Sequence, residues 1–154
     1  LEMNMIDDLN FFDKNFRAIV ANDLVKVYNE KSSISVDKAI SFDSEKEEFT
    51  SIDLFVSSIA SDLILTMLRV AKAKGEILQD IEAKINTLIK NPMYTLNVIG
   101  YDQKAMIEKI NIDLYYFSFL EGEKLDEFLK EVLDKSLLIS SLGDLVEINF
   151  KEVL

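Results

Sequence analysis

The residues able to do chemistry in this chain are carboxylates. Its 154 residues contain no Cys, no His and no Trp. Without Cys there are no disulfides, thiol nucleophiles or Cys-based zinc sites. Without His there is no Ser-His or Cys-His catalysis and no imidazole general base. Four scattered glycines leave no G-x-x-x-x-G-K-[ST] loop and no G-x-G-x-x-G turn to cradle a phosphate. Glu45, Glu47, Glu48, Asp53, Glu76 and Asp80 have the oxygen ligands Mg²⁺ prefers. Their spacing fits poorly, and the expectation is no metal, no cofactor and no catalytic residue.

The nearest catalytic pattern is that of helical nucleotide pyrophosphohydrolases, which pair an E-x-x-E with an E-x-x-D motif. Glu45 and Glu48 match the first spacing, but Glu76 and Asp80 are one residue too far apart for the second. An Mg-dependent hydrolase of this type therefore stands as a minor alternative.

Other residues suggest binding rather than turnover. Tyr115, Tyr116, Phe117 and Phe119 form the densest aromatic cluster, and Tyr115 and Tyr116 are taken as partner-contacting candidates. The run EGEKLDEFLKEVLD at 121–134 holds six acids and two lysines, the wet side of an amphipathic helix. Arg69 lies in an apolar stretch, where it can snorkel or pair with Asp62 two turns back.

These groups need elements to position them. Met5, Leu9, Phe12, Phe16, Ile19 or Val20, Leu24 and Val27 recur at three and four, which predicts a helix over 4–31, spanning the body or breaking near Asn22-Asp23. Phe11, Ala18 and Val25 lie seven apart on its opposite face. A helix with two apolar stripes touches something on both sides, so these three are the main partner-binding candidates. Residues 32–43 read as a linker, a short edge strand or a helical turn.

Ser44 and Glu47 have capping-box spacing. A central helix follows, from 45 or 51 to 74, ended by Gly75. Ile77, Leu78, Ile81, Ile85, Leu88 and Ile89 predict a third helix over 76–90, stopped by Asn91-Pro92. Tyr94, Leu96 and Val98 suggest a strand, and Asp102 opens a short helix toward Ile110. Residues 111–120 are β-rich but also keep helical spacing. Leu125 to Ser136 forms an amphipathic helix, and Val146, Ile148 and Phe150 a half-buried strand. With so few Gly and Pro, the expected fold is mainly α (α+β): an antiparallel bundle of three to five helices with a small β-sheet from the C-terminal half. Leu1-Glu2 read as a cloning remnant and 3–154 as one domain.

The net charge of −11 is shared by both halves: 9 basic and 13 acidic residues in the first 75, 8 and 15 in the rest. Nucleic acid and anionic membrane surfaces are therefore disfavoured partners. The most apolar stretch, 52–71, is interrupted by Asp53, Asp62 and Arg69, so no membrane span is expected, and the protein is expected in the cytoplasm.

In length, acidity, long N-terminal helices and late strands, the chain resembles small flagellar or type III export chaperones and co-chaperones. The resemblance lies in overall build and rests on no motif. It implies a non-enzymatic adaptor that shields an apolar helix of another protein, either a chaperone or a flagellin-like export substrate. The alternative is an acidic immunity protein or antitoxin facing a basic enzyme. A homodimer is a further possible assembly.

Overall fold

A computed structural model describes residues 10–40 and 48–153. It shows an α+β protein with two separate three-stranded sheets, not a helical bundle. Residues 1–51 and 52–154 form two compact units.

The N-terminal unit is a β-meander of β1 (Arg17–Ala21), β2 (Leu24–Tyr28) and β3 (Ser33–Val36), in the order β1-β2-β3. The helix expected over 4–31 is thus two strands, although its first residues, including Met5 and Leu9, lie outside the described region. Asn22 and Asp23 are both left-handed, at φ 51° and 63°. They make a two-residue hairpin turn of the kind that Asn and Asp tolerate and that matches strand twist. The flanking Ile19, Val20, Val25 and Val27 are β-branched and suit a pleated surface. Asn29 closes the next turn, its side-chain oxygen accepting from the backbone N–H of Lys31 at 2.8 Å and of Ser32 at 2.7 Å.

The C-terminal unit begins with α1 (Ser51–Lys74), at the expected place. Gly75 ends it at φ 71°, and the Glu76 N–H closes back on the Ala71 carbonyl at 2.9 Å. The predicted Ser44–Glu47 cap lies outside the described residues.

The chain then runs into β4 (Leu78–Lys90), not a third helix. Ile81, Ile85 and Ile89 are four apart, a spacing that satisfies a period of two as well as one of 3.6. Bulges at Gln79/Glu82 and Leu88/Ile89, with Asp80 at φ 52°, blur the alternation. Pro92–Leu96 form a short 3₁₀ turn instead of a strand, and β5 (Met106–Ser118) replaces the short helix expected from Asp102. The β-rich reading of 111–120 is the one realised.

Next come α2 (Gly122–Lys135), the short α3 (Leu137–Leu142) and β6 (Val146–Glu152). β5 is central, antiparallel to β4 and parallel to β6. Its residues 110, 112, 114, 116 and 118 are buried and the residues between them are not. Rows such as Ile85–Ile112–Ile148 and Ala83–Leu114–Phe150 cross the inner face. They join Ile59, Leu63 and Met67 of α1 and Phe128 and Val132 of α2 in one core. Among the described residues, α1 alone is long and apolar enough to cross a membrane, and 44% of that stretch is buried.

Candidate functional site

The most constrained polar group in the C-terminal unit lies where α1 meets the elbow between α2 and α3. Ser136 ends α2 and starts α3, with extended backbone at φ −76°, ψ 113°. It is completely buried. Its hydroxyl does not cap α3; it donates instead to Asp62 Oδ2 of α1 at 2.5 Å. The Leu138 N–H, one of the unpaired donors of the first turn of α3, donates to the same oxygen at 3.1 Å. A carboxylate from a distant helix thus caps α3 and satisfies a buried hydroxyl at once.

Two turns along α1, Arg69 reaches the Lys135 carbonyl at a long 3.5 Å. It turns to the elbow, not to Asp62. At the end of α1, Lys74 pairs with Glu131 at 2.7 Å, and Glu131 also accepts from Lys135 at 2.6 Å. Hydrogen bonds from Lys135 and Lys74 lower the Glu131 pKa, and the Glu131 contact raises that of Lys74.

This arrangement holds helices together and is poorly suited to attack a substrate. A serine nucleophile must reach substrate and needs a matched base; Ser136 is sealed from solvent. Among the described residues, no three Asp or Glu gather as a metal site. Glu45 and Glu47 lie outside those residues.

The outer face of the C-terminal sheet carries a second polar group. Lys151 pairs with Asp113 at 2.7 Å, and Asn149 donates to Asp113 at 3.1 Å. These two bonds lower the Asp113 pKa, and the Asp113 hydrogen bond raises that of Lys151. Lys84 and Lys151 hold their ammonium groups 5.0 and 5.4 Å from the Tyr115 ring centre.

The expected site residues scatter. Tyr115 and Tyr116, adjacent on β5, point to opposite faces: Tyr115 to this polar face, Tyr116 into the core against Phe150. Phe11 precedes β1 and is exposed. Ala18 and Val25 do share a face, but of a sheet. Ala18 lies opposite Val27, Val25 opposite Val20 and Val36, and Val27 opposite Ile34. One face of the meander is therefore wholly aliphatic, with Val20, Val25 and Ile34 exposed. An open groove of about 350 Å³ lies in the same unit beside Phe12, Phe16 and Asn29. Sequence reasoning missed the Asp62–Ser136 pair. The signal for it was a Ser directly after an amphipathic helix and a lone acid inside an apolar one.

No protein-family model matches the chain, and no curated protein matches it. Solved structures do. One is an OsmC-like protein from Mycoplasma pneumoniae (TM-score 0.70, 18% identity, covering 93% of this chain and 97% of that one). Another is the organic hydroperoxide resistance protein OsmC from Legionella pneumophila (0.61, 11%, 93% and 98%). A third is the organic hydroperoxide resistance protein OhrB of Bacillus subtilis (0.58, 12%, 92% and 98%). The expected likeness to flagellar or type III export chaperones is thereby overturned, and the chaperone and adaptor readings with it. The immunity-protein, antitoxin and pyrophosphohydrolase alternatives are likewise unsupported. The physical reason for the first correction is that the chaperone-like build required long N-terminal helices where β1 and β2 lie, and the helical bundle a further helix where β4 lies. At these identities the likeness concerns architecture: the chain has the fold of OsmC-like proteins.

Proposed function

We propose that this chain is a non-enzymatic, thiol-free protein on the OsmC-like fold, acting in a hydroperoxide-related stress response as a homodimer. One observation carries the first part: a fold shared with organic hydroperoxide resistance proteins over more than nine-tenths of the chain, with no Cys in it. Reduction of a peroxide by a protein thiol needs a thiolate to be oxidised. The sulfurs here are those of five Met, and a sulfoxide formed on them does not return without a separate reductase. Thiol-dependent turnover of a peroxide is therefore closed to this chain.

The dimer is supported by the apolar face of the meander and by α1, which leaves Leu65 at 65% and Leu68 at 43% exposure. Exposed apolar side chains grouped on one face are a feature of interaction surfaces. The −11 charge gives no reason to expect nucleic acid as a partner.

The test is consumption of an organic hydroperoxide by purified protein with a dithiol reductant. No turnover above buffer is expected; catalytic consumption overturns the reading. Sedimentation equilibrium should give a dimer, and Val20→Glu should weaken it while the helical circular dichroism remains.

A further inference from the structure

The core claims one side of α1 and leaves the other open. Ile59, Leu63 and Met67 are fully buried. The opposite side of the helix carries Leu54, Ser58, Ser61, Leu65 and Leu68. Leu65, Leu68 and both serines are exposed, and Leu54 is half-buried. These five positions are separated by alternating steps of four and three, the heptad spacing of two helices packed along a seam.

The seam is prepared for burial. From Leu54 to Leu68 the only charged residue is Asp62, and its Oδ2 is turned to Ser136 and Leu138. In a chain of net charge −11, an uncharged strip is where two copies can meet without repulsion. Its serines already have partners. The Ser58 hydroxyl donates to the Phe55 carbonyl at 2.6 Å, and the Ser61 hydroxyl to the Ser57 carbonyl at 2.7 Å. Covering them strands no donor.

The order of residues favours a reversed copy. Turned about Ser61, the strip sets leucine against leucine at its ends, leucine against serine next, and serine against serine at the centre. Small side chains at the crossing point let two helix axes approach closely. A parallel pair would instead set Leu65 against Leu65 and leave the Ser58 end hollow.

We infer that α1 pairs antiparallel with α1 of a second copy about a two-fold axis at Ser61. Leu65 fills the space beside Ser58 of the second copy, and Leu54 faces its Leu68. Such a contact is the same on both chains, as a two-fold axis requires. The inference rests on the homodimer reading and gives α1 its register in that dimer. The strip spans about 21 Å, too little for the roughly 800 Å² per partner of a standard interface. The aliphatic face of the meander supplies a second patch for the same dimer.

The chain has no Cys, so one introduced cysteine is its sole thiol. Full-chain Ser61→Cys with oxidised glutathione should form an intermolecular disulfide, seen as a dimer on a non-reducing gel. Leu68→Cys should not, because two copies of that position lie about 21 Å apart along an antiparallel pair. Leu65→Glu should weaken the dimer constant in sedimentation equilibrium ~10-fold or more, with the helical circular dichroism retained. Ser61→Cys exchanges one atom, so its result stands even where Leu65→Glu loses the fold. If the wild type is a dimer but Ser61→Cys fails to cross-link, the helix pairing is wrong and the homodimer reading stands. If Leu68→Cys cross-links as fast as Ser61→Cys, the antiparallel register is wrong. If the wild type is a monomer, both readings are wrong.

Discussion

The hydroxyl of Ser136, wholly buried, donates to the carboxylate of Asp62 at 2.5 Å across 74 positions of sequence. The same oxygen caps α3 through the Leu138 N–H. A hydrogen bond to an ionised group contributes more than a neutral one, and a buried polar group left unpaired costs more than the bond is worth. A double-mutant cycle of Asp62→Asn and Ser136→Ala should therefore show coupling of ~1.5–3 kcal/mol in urea unfolding. Additive single effects would mean that the two groups do not act together.

Neighbouring tyrosines should behave oppositely. Tyr116→Ala opens a cavity against Phe150 and should cost about 3–5 kcal/mol. Tyr115→Ala removes two lysine–ring contacts on an open face, worth about 0.5–1 kcal/mol each. Denaturation midpoints of both variants decide this; equal losses would contradict the alternation of β5.

Stability should fall at both ends of the pH scale. Asp113 and Glu131 have pKa values lowered by their lysine hydrogen bonds. Their contribution is present above the ordinary carboxylate values of 3.8 and 4.5 and is lost as pH drops through the lowered ones. Lys74 and Lys151 are raised by Glu131 and Asp113. Their contribution is complete below 10.5 and disappears as pH rises through the raised values. Tyr116, raised by burial and then by Glu152 and Asp126, adds to the alkaline loss: its phenolate is favoured only in the unfolded chain. Ultraviolet titration should show one of the five tyrosines ionising late. Lys151→Met should shift the acid limb, and an unchanged profile would remove Asp113 from this account.

Gly143 sits between α3 and β6 at φ 53°, ψ −127°, a region essentially restricted to glycine. Gly143→Ala should destabilise by about 1–3 kcal/mol although no atom crowds the position. Gly75→Ala, in the ordinary left-handed region, should cost about 1–2 kcal/mol. Thermal melts of the two variants that show Gly143 the more tolerant would reverse this ranking.

Part of the fold was legible in the residues. α1 was set by an apolar stretch too long for a strand and by Gly75 after it. α2 was set by the spacing of Leu125, Phe128, Val132 and Leu133, and β6 by the alternation of Val146, Ile148 and Phe150. The absence of Cys and His was equally final: it removes thiol and imidazole chemistry whatever the fold. Tertiary structure decided the rest. Ile81, Ile85 and Ile89 fit helix and strand alike, and pairing with β5 across bulges made them a strand. Residues 17–28 became a hairpin because Asn22 and Asp23 both accept left-handed backbone, so Ala18 and Val25 meet on a sheet instead of lining a helix. The partnership of Asp62 and Ser136 could not be read along the chain. A hydrogen bond across 74 positions depends on how α1 lies against the α2–α3 elbow, and only packing of the whole core fixes that.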